Sequence, residues 1–247
     1  MTDSSATVRP DRRAELAAGL AQVRARIADA CAVAGRDRAD VTMIAVTKTY
    51  PAGDVLALAG LGVTDVGENR DQEAAGKAAE VAAAGVSPRW HFIGQLQRNK
   101  ARSVVRYADV VHSVDSVRLA RALGTAAAGR ERPLDALVQV SIDGDPARGG
   151  ALPGSADPGV GLEPVAEAVA DSPTLRLAGL MAVAPLGWAP ERAFARLAEV
   201  AEAFRSVHPG AVALSAGMSG DLEIAIQYGA THVRVGSALL GMRPTLR

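Results

Sequence analysis

A lysine stands where an apolar run ends. In MIAVTKTYP, Met43 to Pro51, Lys48 follows the predicted strand Val41–Val46 by two residues. An amine that gives up its proton on desolvation can attack a carbonyl and form a Schiff base, whereas an arginine stays protonated at any accessible pH. The chain otherwise avoids lysine: of its 27 basic residues only Lys48, Lys77 and Lys100 are lysine, and 24 are arginine. A solvated lysine at a strand end is the plain alternative. A second constellation spans Leu214 to Gly241, LSAGMSGDLEIAIQYGATHVRVGSALLG. One strand there ends in Gly217-Met218-Ser219 before a helix, and another ends in Arg234-Val235-Gly236 before Ser237. Two successive strand ends that deliver small residues to helix N-termini suit a phosphate, with backbone N–H groups and two hydroxyls as donors and Gly236 permitting close approach. Each serine also reads as an N-cap. In WHFIGQLQRNK, Trp90 to Lys100, His91 either touches a ligand or packs, and Asn69 in GENRDQE is either a helix cap or a ligand donor. His112 and Asp115, in HSVDS, read as structural. Metal-spaced His/Glu clusters, a Walker loop and a G-x-S-x-G elbow are all missing from the sequence, so no metal is expected.

These residues need strands to aim them. Eight β-rich runs alternate with Ala-rich helical stretches: 41–46, 63–66, 90–93, 110–114, 136–141, 175–183, 211–215 and 232–235. Strict alternation implies parallel pairing, and about eight units predict an α/β fold, a single (β/α)8 TIM barrel across residues 1–247. An open doubly wound sheet is the competitor, but its G-x-G-x-x-G fingerprint is absent from the first unit. The stripe Leu16, Leu20, Val23, Ile27, Cys31 predicts an extra N-terminal helix, ended by Gly35, with residues 1–10 as a flexible lead-in. The Gly/Pro-rich segment 143–161 reads as a candidate flap over the site. Zero formal net charge without blocks of like charge argues against nucleic-acid and membrane partners. One cysteine excludes an internal disulfide, and a polar N-terminus without an apolar centre predicts a cytoplasmic protein.

With these pieces in place, the sequence resembles the YggS/PROSC family of pyridoxal phosphate homeostasis proteins over residues 12–244, nearly the whole chain. The resemblance is carried in order by AVTKTYP, GENRDQE, WHFIGQLQRNK, HSVDS, GLMAVAP, LSAGMSGDLEIAI and VRVGSALLG. It implies a barrel like the N-terminal domain of alanine racemase that holds pyridoxal 5′-phosphate (PLP) as an internal aldimine on Lys48. It further implies that Ser219, Gly236 and Ser237 hold the phosphate, that Arg234 faces the pyridine nitrogen, and that Asn69 and His91 touch the ring. A guanidinium only donates, so the ring nitrogen stays unprotonated and the ring is a weak electron sink. The function implied is a monomeric, non-catalytic PLP carrier serving vitamin B6 homeostasis, with PLP-dependent apo-enzymes as receivers. The alternatives are a weak amino-acid racemase and, from another class, a lysine-dependent aldolase. Racemases add a second domain bearing a catalytic tyrosine, and with Arg247 as the last residue no such domain is expected. Arg148, in DPARGG, stands where relatives often carry lysine, and Ser237 stands for a frequent threonine.

Overall fold

The computed structural model describes residues 10–145 and 148–241. The lead-in expected over residues 1–10 lies outside the described residues, save for Pro10, which opens the first helix. Eight parallel strands close a barrel in chain order, the last pairing with the first. They are β1 (Thr42–Val46), β2 (Asp65–Glu68), β3 (Arg89–Phe92), β4 (Val110–Val114), β5 (Leu134–Gln139), β6 (Leu175–Met181), β7 (Ala213–Met218) and β8 (His232–Val235). Between them run α2 (Ala52–Ala59), α3 (Asp71–Ala83), α4 (Ala101–Val104), α5 (Val117–Ala126), α6 (Leu162–Ala170), α7 (Pro190–Val207) and α8 (Leu222–Gln227), and α9 (Ser237–Leu240) follows β8. The expected (β/α)8 barrel is therefore the observed one. None of the described helices is long and apolar enough to cross a membrane.

Most apolar side chains fill the shell between strands and helices, in two large clusters on opposite flanks of the barrel. The lumen holds less: Val110, Leu137 and Met181 form a small apolar plug. His112 of β4 reaches Ser215 of β7, a strand that is not its neighbour, so this face of β4 points into the barrel.

Strand boundaries differ from the sequence expectation by up to three residues, and two of the differences bear on the site. The second strand occupies Asp65–Glu68 instead of 63–66, because its polar residues find partners inside the barrel rather than ending the strand. Gly67 belongs there on steric grounds, since a Cβ would sit 2.9 Å from the Ile44 side chain. The seventh strand runs to Met218, three residues further than expected. The described residues of the 143–161 segment are also better anchored than a flap. Bridges Val140↔Ala151 and Leu152↔Gly161 stitch it to itself and to the end of β5, and Arg148 ties it to Asp143 and to the carbonyls of Val183 and Ala184.

Helix α1 (Pro10–Val33) precedes the barrel and covers α8, α9 and α2. Its predicted stripe is buried throughout, and Leu16, Leu20, Val23 and Ile27 contribute roughly 1.5–3 kcal/mol each. Gly35, at φ 63°, turns the chain, and the Arg36 N–H returns to the Cys31 carbonyl. Gly19 lets α1 approach α9: a Cβ there would lie 2.5 Å from the Leu239 carbonyl oxygen. In an exposed helix Gly→Ala stabilises by about 1 kcal/mol. Here Gly19→Ala is expected to lower the urea midpoint instead, because α1 must back away from α9.

Candidate functional site

The C-terminal ends of β1, β2, β7 and β8 bring the sequence candidates to one mouth. Lys48 is exposed rather than desolvated. Its backbone, in contrast, is gripped on both sides. Thr47 donates its hydroxyl to Glu68 Oε1 at 2.6 Å and accepts Lys77 Nζ at its carbonyl at 2.7 Å, while the Thr49 N–H donates to Glu73 Oε1. Lys77, on α3, closes the clamp by donating to Glu68 Oε1 at 2.5 Å and Glu73 Oε1 at 3.2 Å. Burial pushes the Glu68 carboxyl above the usual carboxylate range, against the hydrogen bonds from Lys77 and Thr47 that favour its charge. Thr49 has φ 70°, the one non-glycine residue with positive φ among those described. A β-branched residue adopts that conformation only when its surroundings impose it.

The opposite side of the mouth is built from two turns. Gly217, at φ 86°, ends the usable space before α8, as a Cβ would fall 2.6 Å from that of Ala225. The Met218 N–H donates to Asp221, which closes the turn carrying Ser219. Ser219 is not an N-cap. Its Oγ accepts the N–H groups of Gly236 and Ala238, both at 3.3 Å, and so marks a point on which two backbone donors converge. Ser237, exposed, opens α9 beside it. Arg26 of α1 fixes this turn from outside, donating to the Ser219 carbonyl at 2.9 Å and pairing with Glu223. At Gly236 a Cβ would meet Val46 only at ordinary distance, 3.6 Å. Protein packing therefore does not require glycine there, and the same contact sets this turn against the strand that ends two residues before Lys48.

Inside the barrel beneath both, Arg234 donates to Ser215 Oγ at 2.7 Å and to the Ala182 carbonyl at 2.9 Å. Neither partner is a carboxylate, and burial lowers this guanidinium to about 10, so it keeps its charge near neutral pH. Asn69 does not cap α3, whose N-cap is Arg70. Its Oδ1 is buried without a protein partner, and the residue lines a cavity of about 480 Å³ that includes Lys100.

His91 is placed differently from the expected ring contact. Its Nε2 meets Asp65 Oδ1, on the first residue of β2, at 2.9 Å, and its Nδ1 meets His112 Nε2 at 2.8 Å, so both ring nitrogens are engaged below the mouth. His112, read from sequence as structural, continues through Nδ1 to Ser215 Oγ at 2.9 Å. The sequence reading gave no role to Ser215, Glu68, Glu73 or Lys77. The only trace of the clamp was the Glu73/Lys77 spacing of four on one helix.

The buried histidines carry a pH prediction. Burial lowers His91, His112 and His232, the last to about 4. An unfolded chain binds these protons near pH 6.5 and the folded one does not, so their contribution is complete above about 6.5 and is lost as pH falls. Each costs roughly 1.4 kcal/mol per pH unit in that window. The urea midpoint is therefore expected to fall steadily from about pH 7 to about pH 5, and a flat profile would contradict the neutral assignment.

Residues 19–244 match the family described as alanine racemase, N-terminal domain. A pyridoxal phosphate homeostasis protein of Mycobacterium leprae is 46% identical over 248 residues, covering 94% of each chain. Its namesake in Escherichia coli is 37% identical over 237 residues, covering 93% of this chain and 97% of the relative. Among solved structures, PipY of Synechococcus elongatus with PLP bound superposes with a TM-score of 0.73 at 31% identity, covering 92% of this chain and 100% of PipY. Alanine racemase from Corynebacterium glutamicum, at 15% identity and a TM-score of 0.65, covers 95% of this chain but is itself covered only to 62%, and shares the fold alone.

Proposed function

Because this chain belongs to the alanine racemase N-terminal domain family, among the pyridoxal phosphate homeostasis proteins, we propose that it binds PLP reversibly at the barrel mouth and works as a cytoplasmic carrier. The observation that carries this reading is the seating of the Gly236 turn against Val46, which sets the two phosphate-suited turns beside the strand that ends two residues before Lys48. Lys48 would hold the ligand through its aldehyde, its amine condensing there with loss of water. The Ser219 and Ser237 hydroxyls and the N–H groups of Gly236 and Ala238 take the phosphate, in positions where the two N–H groups already converge. Arg234, buried and without a carboxylate partner, donates to the ring nitrogen, and the orphaned Asn69 Oδ1 is a further polar contact at the rim. When bound, PLP supplies a reactive aldehyde on an electron-withdrawing ring. A guanidinium facing the nitrogen keeps it unprotonated, which weakens the ring as an electron sink and favours storage over turnover. Racemisation also needs a second proton-transfer group opposite the amine, and the Tyr50 hydroxyl is committed to the Gly241 carbonyl at 2.7 Å. The carrier acts as a monomer and passes PLP to apo-enzymes that use it.

Borohydride reduction of the PLP-loaded chain followed by peptide mass mapping tests the site. The adduct is expected on Lys48, and finding it on Lys77 or Lys100 would overturn the assignment. Deuterium exchange from solvent into the α-carbon of alanine, at rates well above free PLP, would replace the carrier by a racemase.

A further inference from the structure

Three of the four histidines gather in the lumen, a region that barrels of this type usually fill with branched aliphatic side chains. Two of them, with Ser215, form an unbroken line from Arg234 to Asp65, and every link is between 2.7 and 2.9 Å. The third, His232, stands aside and bonds to Thr231. The chemistry of the two ends fixes the direction of the whole line. A guanidinium can only donate, and an ionised carboxylate can only accept. Ser215 Oγ accepts a hydrogen bond from Arg234 and, because neutral rings that end on Asp65 leave His112 Nδ1 as an acceptor, donates its own hydrogen there. His112 then carries its hydrogen on Nε2 and donates to His91 Nδ1, and His91 in turn carries its hydrogen on Nε2 and donates to Asp65. With neutral rings no other assignment satisfies all four contacts, and burial holds both rings neutral. Asp65 accepts a further hydrogen bond from Thr64 at its other oxygen, which helps keep it ionised.

We propose that Ser215, His112, His91 and Asp65 are positioning residues for Arg234, forming a one-way hydrogen-bond relay that fixes which N–H groups the guanidinium turns to a ligand and makes the site selective for an unprotonated acceptor there. This rests on the reading that Arg234 faces the ring nitrogen of PLP. Two of the guanidinium's donors are spent on Ser215 and the Ala182 carbonyl, so the group cannot rotate without breaking both. Aligned donors polarise one another, so the relay extends the influence of the Asp65 carboxylate to a cation that touches none. A ligand that presents a donor or a C–H at that point leaves a buried charged donor unpaired, the form of discrimination that polar sites perform best.

The relay is tested first on the ligand-free chain. Long-range 15N–1H correlation at neutral pH is expected to show His91 and His112 as Nε2–H tautomers, and a cationic ring or an Nδ1–H tautomer at His112 would overturn the relay. The second arm compares the binding of PLP with that of its 1-deaza analogue, which keeps aldehyde and phosphate but has C–H in place of the ring nitrogen. The unmodified chain is expected to prefer PLP by about tenfold or more, the scale of one charged hydrogen bond. Ser215→Ala is expected to reduce that preference to within about threefold while both ligands still bind, and Ser215→Thr, which restores the hydroxyl, to recover it. If Ser215→Ala discriminates like the unmodified chain, the relay has no positioning role and the Arg234 reading stands. If the unmodified chain shows no preference, the Arg234 reading fails, and the proposed role fails with it. Should Ser215→Ala fail to fold, Asp65→Asn supplies the variant, because it keeps the shape at the far end and removes the charge, and its preference is expected to drop in the same direction.

Discussion

Lys48→Ala is expected to abolish the visible absorbance of bound PLP and the borohydride-fixed adduct, yet to leave weak binding. The residues proposed to grip the phosphate lie just past the ends of β7 and β8 and are fixed by Arg26 and by the turn at Asp221, none of which depends on the lysine side chain. Removing an exposed side chain disturbs no core packing, so the variant should fold with an unchanged urea midpoint. An affinity loss of about a hundredfold, near 2.7 kcal/mol, is the expected scale by equilibrium dialysis. Complete loss would mean that the phosphate contacts count for nothing. A persistent band would mean that the amine is elsewhere. Lys100→Ala, at the Asn69 cavity, is the matched control and should behave as the unmodified chain.

Lys77→Met is expected to produce the largest stability change. It leaves Glu68, fully buried, with one oxygen already unpartnered and the other held only by Thr47. Breaking a buried pair in this way costs about 3–5 kcal/mol, whereas replacing both partners costs much less. Urea denaturation of Lys77→Met, Glu68→Gln and the double variant closes a cycle whose coupling should be strongly favourable. Additive losses would show that the pair is not coupled. The same variant is expected to lower the yield of borohydride adduct on Lys48, because the clamp on Thr47 and the Glu73 contact that holds the left-handed Thr49 both pass through Lys77.

Alternation and turn chemistry made the barrel legible in the sequence. The Leu16-to-Cys31 stripe and its closing Gly35 gave the extra helix, and β1 and β8 end at the expected residues, Val46 and Val235, just before Lys48 and Gly236. The second strand was misplaced because Asp65, Gly67 and Glu68 look like turn residues, and only a closed barrel supplies the partners that let them be strand. The line joining His91 and His112 to Ser215 was not legible for a related reason. It depends on Ser215, which is 103 residues from His112 in the chain and on the far wall of the lumen. No local pattern announces such a pairing, because it arises from the closure of the sheet.

Lys77 is buried to 6% exposure and tied to two carboxylates. That withdraws one of only three side-chain nitrogens able to condense with aldehydes, in a coat otherwise made of guanidinium groups that resist such condensation. For a chain proposed to hold such an electrophile on Lys48, scarcity itself would confer site-selectivity: unwanted adducts would find few places to form.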